Sequence, residues 1–144
     1  MKEGKIIFRK YTELEGKNIL DIKKGGHPTL NVLEKDGYTY YFIISSKIRK
    51  NTIYFHLYPS RKNHLTKDSY INLSYVYKEK TNVNYTYGKI GKYQMLSIYE
   101  KFIRHHEAGT IFSNIEEQHY DLKMLCEEFN HIVMEEKYTP KERL

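Results

Sequence analysis

The feature that most constrains this chain is a change of hydrophobic period near Gly91. Upstream of it apolar residues alternate, as in strands with one half-buried face; downstream they recur at the spacing of an amphipathic helix. Residues 53–58 (IYFHLY) set Ile53, Phe55 and Leu57 on one face and Tyr54, His56 and Tyr58 on the other. Residues 70–77 (YINLSYVY) set Ile71, Leu73, Tyr75 and Tyr77 opposite Asn72 and Ser74, and the pattern predicts one strand there. KIIFR at 5–9 predicts a first strand, and residues 11–26 a long loop. The β-rich runs 28–33 and 38–46 are joined through Asp36-Gly37, a dipeptide that accepts the positive φ of a tight hairpin turn. Past Gly91, residues Met95, Tyr99, Phe102, Ile103 and His106 share a helical face, with Gly109 as the stop. Ser113 and Glu116 form an S-x-x-E capping box for a second helix. Its apolar stripe is Leu122, Leu125, Cys126, Phe129, Ile132 and Val133, and it ends before Pro140. Strands first and helices last predict an α+β fold. The expected form is a small, strongly curved antiparallel sheet or barrel over about 4–91, packed by C-terminal helices over about 92–137. A length of 144 residues predicts a single domain, 1–144.

Charge narrows the function. Residues 1–95 hold 18 Lys or Arg against 8 Asp or Glu, whereas residues 96–144 hold 6 against 10. A basic body with an acidic helical flank suits a polyanion, because lysines and arginines gain affinity by displacing counterions from nucleic acid. Twelve of the 15 tyrosines fall between positions 38 and 99, where most are expected to be strand packing. No apolar run reaches the length of a membrane span and the N-terminus lacks the apolar stretch of a secretory signal, so a cytoplasmic protein without a membrane partner is expected. The lone Cys126 reads as a small buried hydrophobe. No metal or other cofactor is expected. His105 and His106 point about 100° apart on a helix, the carboxylates of the basic body are dispersed, and the P-loop spacing is missing around Gly25-Gly26.

Several short anchors carry a resemblance. Gly4-Lys5-Ile6-Ile7-Phe8 is followed by a long loop, then by Gly26-His27-Pro28-Thr29-Leu30-Asn31-Val32-Leu33 and a strand ending Ile43-Ile44-Ser45-Ser46. Downstream come Leu65 to Leu73, Tyr77-Lys78 and the turn Gly88-Lys89-Ile90-Gly91. Over about residues 4–104 this order resembles the MazF/PemK-like toxin fold. The long first loop, the Lys and Tyr content and the extra C-terminal helix look more like its ToxN, AbiQ and CptN branch, the type III toxins restrained by a small RNA, with CptN nearest. The resemblance implies a metal-independent endoribonuclease toxin acting on messenger RNA, with a small repetitive RNA antitoxin, a possible cyclic toxin–RNA assembly and a role in phage defence. It also implies that the basic residue before Pro and the hydroxyl residues at the strand end carry cleavage, here His27, Ser45 and Ser46 with Lys47 beside them. The pattern usually has Arg where this chain has His27, so either His27 transfers the proton or the cation sits at Lys24 or Lys47.

The chemistry is consistent with these residue types. RNA can be cut without a metal because its 2′-OH can attack the adjacent phosphorus. The protein then supplies a proton acceptor, donors for the phosphorane and a proton for the leaving oxygen. Tyr54, His56 and Tyr58, near Arg49, Lys50, Arg61 and Lys62, form a candidate RNA groove in which bases stack and cations follow the backbone, with Lys24 and Lys78 as further contacts. Plainer readings stand beside these. His27 is equally a loop residue, Ser45-Ser46-Lys47 a turn, and the Tyr54 face a surface packed under the helices. The competing functions are a MazF-type enzyme with a protein antitoxin and a non-catalytic RNA-binding module of SH3-like shape.

Overall fold

The computed structural model describes residues 4–9, 27–48, 50, 52–82, 85–108 and 116–138. Its architecture grows from one hairpin. Asp36 and Gly37 take φ of 53° and 81°, and this pair of positive values turns β2 (His27–Lys35) directly back into β3 (Tyr38–Ser45). Strand β1 (Gly4–Arg9) adds antiparallel to β2, and β7 (Gly88–Ile90) adds to β1. On the other side of β3 lie β5 (Ser69–Asn72) and then β4 (Tyr54–Leu57). The order β4-β5-β3-β2-β1-β7 forms a curled antiparallel half-barrel, with β6 (Tyr77–Lys80) paired to the far end of β3. Helices α1 (Lys92–Glu107) and α2 (Glu116–Tyr138) pack against it, giving the α+β arrangement expected.

The core lies between one face of the sheet and the helices. Ile6, Leu30, Phe42, Ile44 and Ile71 meet Met95, Ile98 and Phe102 of α1 and Leu125 and Phe129 of α2, all buried. Burying each such side chain contributes about 1.5–3 kcal/mol, so this face fixes which side of every strand turns inward. Ile98 joins the helical face expected from the spacing, while Ile103 and His106 lie at its margin. On α2, Leu122, Leu125, Phe129 and Val133 are buried, with Cys126 and Ile132 half-buried beside them. Burial raises the Cys126 thiol's pKa, aided by Glu107 and Glu127, which keeps it from being a ready thiolate. The Tyr99 hydroxyl donates to the Val32 carbonyl at 2.9 Å, where the β2–β3 register shifts between Asn31 and Leu33, and so ties α1 to a bulge. At the turn end of β2, Lys35 pairs with Glu128 of α2. The long loop expected over 11–26, and Gly109, Ser113 and Pro140, lie outside the described residues; α1 closes on Ala108.

One expectation is corrected. Residues 70–77 do not form a single strand. Asn72 Oδ1 accepts the Ser74 N–H at 2.9 Å, and Ser74 Oγ, itself buried, accepts the Ile53 N–H at 2.8 Å. These local bonds replace the ladder, so the chain steps off β3 after Asn72 and rejoins it at Tyr77, opposite Tyr41. The basic loop that follows β4 is also built rather than loose. Asn63, 3% exposed, accepts the Ser60 and Leu65 N–H groups on Oδ1 and donates from Nδ2 to the Tyr58 carbonyl, each at 2.9 Å. Lys89 N then donates to Lys62 O at 3.0 Å, so this loop joins the β4 end of the sheet to β7.

Candidate functional site

Strand register gathers distant residues. Arg9 lies opposite His27, and where the β2–β3 ladder ends, at Thr29 opposite Ile43, the His27 ring reaches the Ile44 carbonyl oxygen, next to Ser45 in the chain. Ser45 in turn lies opposite Tyr70, and Tyr70 opposite His56. Directly paired residues point to the same face of a sheet. Arg9 and His27, and separately Ser45, Tyr70 and His56, therefore form two runs across neighbouring strands on the face away from the core, the strands within each about 4.8 Å apart.

His27 opens β2, and its Nδ1 lies 3.3 Å from the Ile44 carbonyl oxygen. A carbonyl can only accept, so Nδ1 donates, and the neutral ring then carries its lone pair on Nε2. Ser45 closes β3. Its Oγ accepts the Lys47 N–H at 3.1 Å, which leaves its own proton to donate elsewhere. Ser46 and Lys47 follow in a bend and are exposed. An imidazole at the start of β2 thus meets the end of β3, where a hydroxyl donor and a lysine follow each other.

Beside this corner runs a stack of rings. His56 lies against Tyr58, with centroids 4.1 Å apart, and against Tyr70 at 4.8 Å; Tyr54 meets Tyr70 edge-on at 5.2 Å. Tyr58 is 65% exposed, and none of the four rings belongs to the core cluster. From the helices α1 reaches the edge of this face with Lys101, whose Nζ donates to the Tyr54 carbonyl at 2.6 Å and stands 5.8 Å from the ring centroid. Burial, with Arg104 adding, lowers the Lys101 pKa below the ordinary lysine value. His56 Nε2 is buried without a hydrogen bond, 3.6 Å from Asp68 Oδ2.

On the other side of His27 the open face is polar and closed. Arg9, 2% exposed, donates from Nη1 to Thr29 Oγ1 and from Nη2 to Glu79 Oε2 at 3.1 Å. Its guanidinium lies 4.0 Å from the centroid of the Tyr41 ring. Thr29 passes its own proton to the Ile7 carbonyl at 2.7 Å. A buried guanidinium is held where a carboxylate, a hydroxyl and a ring face all meet it.

The structure brings together His27, Ser45, Tyr54, His56 and Tyr58, with Ser46 and Lys47 at the same strand end. Lys50, Arg61 and Lys62 are exposed in the loops flanking β4. Lys78 does not join them: it lies opposite Tyr40, five residues or roughly 17 Å up β3 from Ser45, on the core-facing side, with its ammonium 5.1 Å from the Tyr38 ring centroid. Lys24 and Arg49 lie outside the described residues. Sequence reasoning missed Arg9 and Tyr70. Their roles depend on which strands lie side by side, and neither belongs to a local motif. Comparison with known proteins finds no match among family models, curated proteins or solved structures.

Proposed function

We propose that the protein is a metal-independent endoribonuclease, cutting RNA by attack of a ribose 2′-OH on the adjacent phosphorus. The observation that carries this reading is the His27 ring on the Ile44 carbonyl, one residue before Ser45. In the proposed reaction Nε2 accepts the 2′ proton as the 2′ oxygen bonds to phosphorus. Ser45 and Ser46 donate to the non-bridging oxygens, the bond to the 5′ oxygen breaks, and the Lys47 ammonium protonates that oxygen. The products are a 2′,3′-cyclic phosphate and a 5′-OH, so neither metal nor water enters the step. The Tyr58, His56 and Tyr70 rings supply stacking for bases of a single strand, and Lys50, Arg61 and Lys62 supply cations for its backbone.

The biological assignment rests on the sequence resemblance: a cytoplasmic toxin of the type III branch, acting on messenger RNA and restrained by a repetitive RNA that occupies the same face. No helix among the described residues is long and apolar enough to cross a membrane. The test is incubation of the purified protein with single-stranded RNA in excess EDTA. Cleavage leaving cyclic phosphate ends is expected. A requirement for added metal, or tight binding without cleavage, would overturn the enzymatic reading.

A further inference from the structure

Ile6 and Phe8 lie on the same face of β1, yet Ile6 is fully buried and Phe8 is 46% exposed. The Phe8 ring is nonetheless fixed. It stacks on Tyr87 with centroids 4.5 Å apart and planes 21° from parallel. Tyr87 is anchored at both ends, its N–H on the Ile6 carbonyl at 2.8 Å and its hydroxyl on the His64 carbonyl at 2.7 Å. The His64 ring stands edge-on to Tyr87 at 6.0 Å, in the loop that Asn63 pins. Among the described residues the anchoring is on the Tyr87 side, and Phe8, 46% exposed, is the open end of a preformed stack. A rigid ring loses little freedom when a third flat group lies on it.

Two further observations say what that group is. Arg61 and Lys62, both exposed, come from the same loop as His64, and the Lys62 carbonyl accepts the Lys89 N–H two residues from Tyr87, so the loop that carries these cations adjoins the strand that carries the stack. Phe8 also lies opposite Pro28, one residue along each strand from Arg9 and His27. Adjacent strand residues face opposite ways, so Phe8 stands just over the rim of the sheet from Arg9 and His27, whose ring reaches the Ile44 carbonyl beside Ser45. We infer that Phe8 is a base-stacking platform for single-stranded RNA. It holds one base on the helix side of the rim while the Tyr58 stack holds another on the open face, so the strand bends over the rim at His27 and Ser45. The identity of the ligand rests on the function proposed above; the platform itself rests on the Phe8–Tyr87–His64 geometry.

The chain contains no tryptophan, so Phe8→Trp introduces a single indole as reporter. The probe is a fluorescently labelled 2′-O-methyl oligouridine, which has no free 2′-OH and cannot be cut. Its anisotropy and the indole emission are followed in one titration. Quenching that saturates together with the anisotropy change is expected. Phe8→Ala and Phe8→Leu should each weaken binding about tenfold, Leu because it keeps apolar bulk without a ring face. A urea midpoint for Phe8→Ala near that of the wild type separates lost stacking from lost folding. Binding with unchanged indole emission and wild-type affinity in Phe8→Ala would overturn the platform and leave the RNA reading standing. No binding by the wild-type protein would remove both.

Discussion

Glu79→Ala strands the Arg9 guanidinium, and the cost follows from where each partner sits. Arg9 is 2% exposed and Glu79 is 21% exposed, so the carboxylate can recover water and the guanidinium cannot. Removing one member of a fully buried pair costs about 3–5 kcal/mol, mostly for the charge left behind. With Glu79 partly at the surface, some water can follow into its place, and a cost of about 2–3 kcal/mol is expected. Arg9→Met leaves the charge where solvent reaches it and keeps most of the packing over Tyr41. It loses the ring contact and one bond to Thr29, about 1–2 kcal/mol. In the double variant Glu79 has nothing left to hold, so its stability should match Arg9→Met alone. The coupling energy is then about 2 kcal/mol, readable from urea unfolding of the four proteins. Additivity within about 0.5 kcal/mol would refute the reasoning, as would a Glu79→Ala variant as stable as the wild type.

Two further outcomes follow from the fold. In Gly88→Ala the new Cβ would lie 2.2 Å from the Asn63 carbonyl oxygen and 2.6 Å from its carbon, backbone atoms that cannot swing aside. A loss of about 2–3 kcal/mol is expected, and a wild-type urea midpoint would contradict the close packing of this loop on β7. Burial pushes the Tyr99 hydroxyl from its usual 10.0 up to about 12. Between those values the unfolded chain gives up the phenolic proton and the folded chain keeps it. Stability contributed by Tyr99 is therefore complete below about pH 10 and lost as pH rises to about 12, by roughly 2–3 kcal/mol. Tyr99→Phe should flatten that alkaline fall in the urea midpoint; an unchanged slope would contradict it.

What could be read in the sequence was what neighbouring residues decide among themselves. Asp36-Gly37 set the hairpin because both residues accept positive φ, and the spacing of Met95, Tyr99 and Phe102 gave a helix because a helix face is a local property. The break at residues 73–76 was hidden for the converse reason. YINLSYVY alternates like a strand; the Asn72–Ser74 bond is local, but the Ser74 hydroxyl's partner is Ile53, 21 residues away, and the spacing does not show it. The buried Arg9 could not be foreseen because its carboxylate partner lies 70 residues away and pairs with a different strand. Tyr70 read as packing until register set it between Ser45 and His56. Lys78 stands in the sequence as a cation of the basic body and beside Tyr77 in the family resemblance, and the pairing of β6 with the far end of β3 separates it from the other cations.

The account stands on His27 and Ser45 turning a ribose hydroxyl against its own phosphodiester. The most direct measurement uses an oligonucleotide carrying one ribose at the cleaved linkage and deoxyribose elsewhere, incubated in EDTA with the wild-type protein and with His27→Ala. The wild type should cut after the ribose and nowhere else, and His27→Ala, folded as judged by its unchanged urea midpoint, should be slower by about 10²-fold or more. Equal cutting of an all-deoxyribose strand, or wild-type rates in His27→Ala, would contradict it.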